Sequence, residues 1–159
     1  MILHLTSRGW EPGPENGPRE WRVACWTGES WTIRTVTTSD NNYDTGSLYI
    51  EPGRVWHIIG PTETGPQPFN PGGEVAVWTS VDHGETWKKE RRLTSDSPYN
   101  HTYVRRPLNA HPGFYAFWAD GHGREPSESR LYFYDQARNS VMQLPYRMET
   151  DFAQPETVR

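Results

Sequence analysis

The stretch Ser80-Val81-Asp82-His83-Gly84-Glu85-Thr86-Trp87 is the most informative part of this 159-residue sequence. It lies between two strand-like runs, residues 74–79 and 87–92. Serine and aspartate side chains can bond backbone amides within a tight turn, and glycine adopts a positive φ at little cost. Trp87 then offers a large apolar anchor at the start of the next strand. The pattern predicts a hairpin turn whose structural residues are Ser80, Asp82, Gly84, Thr86 and Trp87.

A repeat with an offset of 56 residues extends this turn to the rest of the chain. The offset aligns Gly28-Glu29-Ser30-Trp31 with Gly84-Glu85-Thr86-Trp87, and it aligns residues 38–43 with residues 94–99. The first copy has lost part of the pattern, since Trp26 stands where the aspartate would be. A weaker third copy covers residues 131–151. A period near 50 residues is typical of repeated four-stranded β units.

Alternation and β-branched or aromatic enrichment predict eleven strands. They are residues 2–6, 21–26, 31–37, 47–50, 55–59, 75–79, 86–93, 102–106, 114–119, 130–134 and 141–144. No segment of useful length has the 3.6-residue apolar period of a helix, and the 14 prolines and 14 glycines also disfavour long helices. The sequence therefore predicts an all-β chain.

The turn pattern S-x-D-x-G-x-T-W resembles the Asp box, or BNR repeat, of sialidase-like β-propellers. Residues 103–120 and 127–134 also resemble late blades of the carbohydrate-active members of that group. The resemblance implies a partial propeller of about three four-stranded antiparallel blades. Blade one is incomplete and covers 1–38, blade two covers 39–94, blade three covers 95–150, and 151–159 form a tail.

Fewer than three complete blades cannot close a ring, because propellers typically have about four to eight blades. An open row of blades also leaves sheet edges exposed to pairing. We therefore expect a fragment of a six- or seven-bladed propeller, or a chain that self-associates through its exposed blade edges. The parent protein is expected to be secreted or periplasmic.

Composition excludes several classes of partner. The net charge is −4 with no basic run, which disfavours nucleic acid. No apolar stretch approaches the roughly 20 residues of a membrane span. The single Cys25 excludes an intrachain disulfide and suits packing better than nucleophilic chemistry. His57, His101, His111 and His122 lack ligand-motif spacing, so we expect neither a metal nor another cofactor.

Three long loops, residues 8–20, 61–74 and 120–129, are predicted at one end of the blades, opposite the Asp82 turn. Long polar loops on a regular scaffold often carry binding sites. Glu63 and His122 are therefore candidate substrate-binding residues, although each also fits a simple surface connection.

Arg105 and Arg106 follow His101 and Tyr103 on a strand predicted to be innermost in its blade. Arginine is costly to bury without a partner, and its planar fork suits a carboxylate. Arg105-Arg106-Pro107 resembles the Arg-x-Pro element with which sialidases hold a sugar carboxylate. A structural role for the pair, bridging carboxylates of the blades, is the alternative.

His101 and Tyr103 are candidate proton-transfer residues, and Tyr43 and Tyr49 are candidate substrate-binding residues in the equivalent region of the second unit. The resemblance implies that the chain acts on or binds an acidic glycan, as a glycoside hydrolase or polysaccharide lyase. The alternative is a non-catalytic propeller fragment that binds a glycan or a protein.

Overall fold

The computed structural model describes residues 1–41, 44–53 and 55–158, which form three antiparallel sheets and no α-helix. The first sheet contains β1 (Ile2–Thr6), β2 (Arg19–Trp26) and β3 (Trp31–Ser39). The middle sheet contains β4 (Ser47–Ile50), β5 (Trp56–Glu63), β6 (Glu74–Ser80) and β7 (Lys88–Arg92). In both sheets, neighbours in the sheet are also neighbours in the chain.

The last sheet contains β8 (His101–Arg105), β9 (Ala116–Asp120), β10 (Leu131–Asp135), β11 (Ser140–Gln143) and β12 (Glu156–Thr157). The all-β prediction is confirmed, and each of the eleven predicted strands is present with ends shifted by a few residues. A short 3-10 helix, Pro14–Asn16, lies in the loop between β1 and β2.

The last sheet has one strand more than predicted. Residues 151–159 were predicted to be a tail, but Thr157 pairs with Met142 and Glu156 pairs with Gln143. The prediction of four strands for this unit is therefore wrong. Two residue pairs are too few for a local pattern to signal a strand, and the free edge of β11 supplies the partner.

The first and middle sheets pack face to face around Trp21, Val23 and Val36 on one side and Ile58 on the other. Trp21 is fully buried, and its indole N–H donates to Ser39 Oγ at 2.9 Å. The adjacent residue Ile59 points to the opposite face of the middle sheet, because successive side chains in a strand alternate.

That opposite face packs on the last sheet. Ile59, Val75 and Val77 of the middle sheet meet Trp118 and Tyr132 of the last sheet in one buried cluster. The middle sheet is therefore covered on both faces, which explains the nearly continuous apolar character of β6.

The turn between β6 and β7 holds itself together through its own polar side chains. Asp82 Oδ1 accepts the Thr86 amide at 2.9 Å, which is the type of backbone hydrogen bond that the sequence predicts. Ser80 Oγ accepts the Gly84 amide at 2.8 Å, and Gly84 has a φ of 85°. The hydrogen bonds from Thr86 and Ser80 lower the pKa of Asp82 to about 2. Trp87 packs half-buried on the cluster around Trp21.

The three long loops lie together at the end of the sheets opposite this turn. Arg124 Nη2 donates to the Phe69 carbonyl at 3.1 Å, which joins the third loop to the second. The Phe69 amide donates to Asp40 Oδ2 at 3.0 Å, and Asp40 follows β3 at the end where the first loop enters β2. At the opposite end, Gly84 of the Asp82 turn lies near Met1, the residue before β1.

Removing the buried indole of Trp21 tests the packing between the first two sheets. We expect Trp21→Ala to lower the free energy of unfolding by about 3–5 kcal/mol. Trp87→Ala is expected to cost about 1–3 kcal/mol, because half-burial removes less apolar surface from water. Urea unfolding followed by circular dichroism measures both, with the exposed Val81→Ala as a control near zero. Equal losses for Trp21→Ala and Val81→Ala would contradict this packing.

Candidate functional site

Strand β8 is interrupted where it carries the candidate residues. Its pairing with β9 shifts between Thr102 and Arg105, and Tyr103 within the shift has a φ of 54°. A non-glycine residue adopts a positive φ only under constraint, and bulges redirect side chains. The Tyr103 amide donates to Asp44 Oδ2 at 2.8 Å instead of to a strand neighbour. Tyr103 is 53% exposed.

Arg105 and Arg106 extend over two different tyrosines. The Arg105 guanidinium lies 5.4 Å from the centre of the Tyr103 ring, and its Nη1 donates to the Thr45 carbonyl at 2.7 Å. The Arg106 guanidinium lies 5.1 Å from the centre of the buried Tyr49 ring. Both arginines are exposed, and neither forms an ion pair with a carboxylate in the described parts of the chain.

Tyr103 and His122 line one cavity of about 360 Å³ between the second and third long loops. The backbone amide of Glu125 donates to His122 Nδ1 at 3.0 Å. Because Nδ1 accepts a hydrogen bond, the neutral ring carries its proton on Nε2. The cavity wall also includes Asp120, Ser127 and Pro71. The cavity therefore offers an aromatic ring, an imidazole and hydroxyl groups, and Arg105 reaches it only through contact with the Tyr103 ring.

Asp44 is the functional candidate that the sequence analysis missed. Its side chain is 1% exposed, and Oδ1 has no hydrogen-bond partner among the described residues. Burial raises the pKa of Asp44 to about 6, although the Tyr103 amide and the Arg105 charge favour the ionised form. The offset of 56 residues pairs Asp44 with Asn100, which is also buried in front of a strand. That repeat position is the only signal that would have singled out Asp44.

His101 lies in the core and not in the cavity. Its Nδ1 accepts the Trp118 indole N–H at 2.9 Å, so its Nε2 carries the proton and donates to Ser97 Oγ at 2.9 Å. Ser97 Oγ in turn donates to Glu74 Oε2 at 2.9 Å. Burial lowers the pKa of His101 despite the nearby charges of Glu74 and Asp120. The geometry supports a neutral ring that joins the middle and last sheets, because both ring nitrogens are occupied.

The remaining predicted residues are dispersed. Glu63 pairs with Lys89 at 2.9 Å and with Arg92 at 3.1 Å across the middle sheet. Tyr49 stacks on Tyr115 with ring centres 4.5 Å apart, and its hydroxyl donates to the Tyr115 carbonyl at 3.0 Å. Tyr49 is therefore a buried ring on which the Arg106 guanidinium packs. Tyr43 lies outside the described residues.

Comparison with known proteins finds no family model, curated protein or solved structure that matches this chain. Among the described residues, no group of three or more histidine, cysteine, aspartate or glutamate side chains is placed to hold a metal ion. Within the same residues, no helix has the length and apolar character needed to cross a membrane.

The buried carboxyl of Asp44 predicts a specific pH dependence of stability. A raised pKa means that Asp44 favours folding below about pH 4 and that this contribution is lost as the pH rises through about 6. We expect the wild type to lose about 2–3 kcal/mol relative to Asp44→Asn between pH 4 and pH 7.5, at about 1.4 kcal/mol per pKa unit.

Urea unfolding of both proteins across this pH range measures the difference. The asparagine variant keeps an oxygen that can accept the Tyr103 amide and stays neutral throughout, so the other titrating groups cancel in the comparison. Parallel stability curves for the two proteins would show that Asp44 is not buried as an acid.

Proposed function

We propose that this chain is part of a sialidase-like β-propeller and that it binds an acidic glycan beside Tyr103, Arg105 and His122. Three consecutive antiparallel sheets, packed face to face and related by an offset of 56 residues, support the architecture. The Ser80–Trp87 turn supports it as well, because its hydrogen bonds use each polar position of the motif.

The single observation that carries the ligand class is the state of Arg105. Its guanidinium is exposed, is held by the Thr45 carbonyl and the Tyr103 ring, and has no ion pair to a carboxylate within the described residues. A positioned guanidinium with free donors suits a carboxylate, which it can bind through two parallel hydrogen bonds. The acidic group of a sialic acid or a uronate has this geometry.

The adjoining cavity fits the sugar ring of such a ligand. Its volume of about 360 Å³ is within the range of small-molecule sites. The exposed face of Tyr103 provides an apolar surface, and His122 Nε2 and Ser127 provide polar groups for hydroxyls. Binding is favoured over catalysis because His101, the imidazole nearest to Tyr103 in sequence, is buried with both nitrogens bonded.

An enzymatic role, as a glycoside hydrolase or a polysaccharide lyase, is the second candidate. Asp44 favours it, because a carboxyl group with a pKa of about 6 can exchange a proton near neutral pH and lies against the Tyr103 amide. Turnover of a sialoside or a polyuronate that is lost in Asp44→Asn would establish this alternative. Retention of binding in the same variant would separate the two roles.

Isothermal titration with sialyllactose and with an oligogalacturonate tests the binding proposal. We expect Arg105→Ala to raise the dissociation constant of the acidic ligand at least tenfold, which corresponds to a loss of about 1.4 kcal/mol of binding free energy. The affinity of Arg105→Lys should lie between those of the wild type and Arg105→Ala, because lysine keeps the positive charge but cannot form the two parallel hydrogen bonds of a guanidinium.

Arg34→Ala is the matched control, since Arg34 is exposed but paired with Glu85 beside the opposite turn. Its affinity should equal that of the wild type. The same oligosaccharides with methyl-esterified carboxyls should bind at least tenfold more weakly. An Arg105→Ala affinity within threefold of the wild type, or equal binding of the esters, would overturn the proposal.

A further inference from the structure

The two outward faces of the row of sheets are apolar. On the first sheet, Ile2, Trp26, Trp31 and Ile33 point away from the middle sheet, and each is about half exposed. On the last sheet, Leu131, Phe133 and Phe117 point away from the middle sheet, with Phe114 packed on the two phenylalanines. We call these the Trp31 face and the Phe133 face.

The outer edge of the middle sheet has a different character. The exposed edge strand β7 of the middle sheet has the sequence Lys-Lys-Glu-Arg-Arg, so every one of its side chains is charged. Contiguous exposed apolar surface on a soluble protein usually marks an interaction site. The Trp31 and Phe133 faces are therefore the surfaces at which we expect a partner.

The internal repeat indicates which kind of surface would pack against each face. Trp31 and Trp87 are equivalent at the offset of 56 residues. Trp87 packs on the sheet that precedes its own, whereas Trp31 points in the same sense and is 51% exposed. The Trp31 face is thus shaped for a preceding sheet.

The same offset relates Trp21, Val77 and Phe133. Trp21 is buried under the middle sheet, and Val77 is buried under the last sheet. Phe133 points toward the position of a following sheet. The Trp31 face lacks a preceding sheet, and the Phe133 face lacks a following sheet. The Phe133 face of one copy can therefore serve as the preceding sheet for the Trp31 face of another, and the reverse also holds.

We propose that two copies of this chain associate head to tail, with the Phe133 face of each against the Trp31 face of the other. Such a contact repeats the packing that already joins the three sheets within one chain. An open head-to-tail pair would leave one face of each kind uncovered, whereas two equivalent contacts cover all four. Two copies then supply six sheets, and closure at six rests on the propeller architecture proposed above, for which about four to eight blades are usual.

Sedimentation equilibrium or light scattering of the full chain at about 1–100 μM tests this proposal. The wild type should have twice the chain mass of 18.4 kDa. Trp31→Glu and Leu131→Glu should each raise the dissociation constant at least a hundredfold and leave monomers. The exposed residue Val81, in the turn of the middle sheet, gives the matched control Val81→Glu, which should remain a dimer.

Mixing the two interface variants distinguishes contact between unlike faces from contact between two like faces. Trp31→Glu retains an intact Phe133 face, and Leu131→Glu retains an intact Trp31 face, so the mixture should form a dimer that neither variant forms alone. Near-ultraviolet circular dichroism checks that each variant is folded. A monomeric wild type would overturn the proposal and would indicate that other sheets cover these faces. A Leu131→Glu variant that stays dimeric would also overturn it.

Discussion

The coverage of the middle sheet on both of its faces is the constraint on which the rest of the structure depends. Adjacent residues Ile58 and Ile59 of one strand are buried in two different clusters, one shared with the first sheet and one with the last. A sheet covered on both faces needs neighbours of matching shape, so the orientation of the first and last sheets is set by this strand and its partners. The loops at one end are brought together as a consequence.

Polar side chains join the sheets where apolar contact ends. The path from Trp118 through His101 and Ser97 to Glu74 links the last sheet to the middle one. Each buried group in it has a partner, which avoids the cost of an unsatisfied donor in a medium of low dielectric constant. His101 therefore stabilises the contact between the two sheets near the site. The groups proposed to meet the ligand are Tyr103, Arg105 and His122.

Asp44 and Tyr103 show how the site obtains its shape. The buried Asp44 carboxylate receives the Tyr103 amide, and Tyr103 leaves the strand geometry with a positive φ. The displaced ring then lies under the Arg105 guanidinium. A buried acid lowers stability near neutral pH when one of its oxygens lacks a partner, as Asp44 Oδ1 does within the part of the chain that the structure describes. Local strain of the kind seen at Tyr103 is often retained at functional positions.

Much of the fold was accessible from local sequence patterns. The Ser80–Trp87 turn depends on hydrogen bonds that span at most four residues, and strand alternation depends on nearest neighbours, so both could be read from the sequence. The sequence also singled out Arg105, because a guanidinium needs a partner, but it left open whether that partner is a ligand or a carboxylate of the chain. The roles of His101 and Asp44 were decided only by tertiary structure. His101 is enclosed by Trp118 of the next strand and by Glu74 of another sheet, and Asp44 meets an amide 59 residues away. No local pattern encodes which distant groups surround a side chain, and those groups determine whether it is solvated, protonated or available to a ligand.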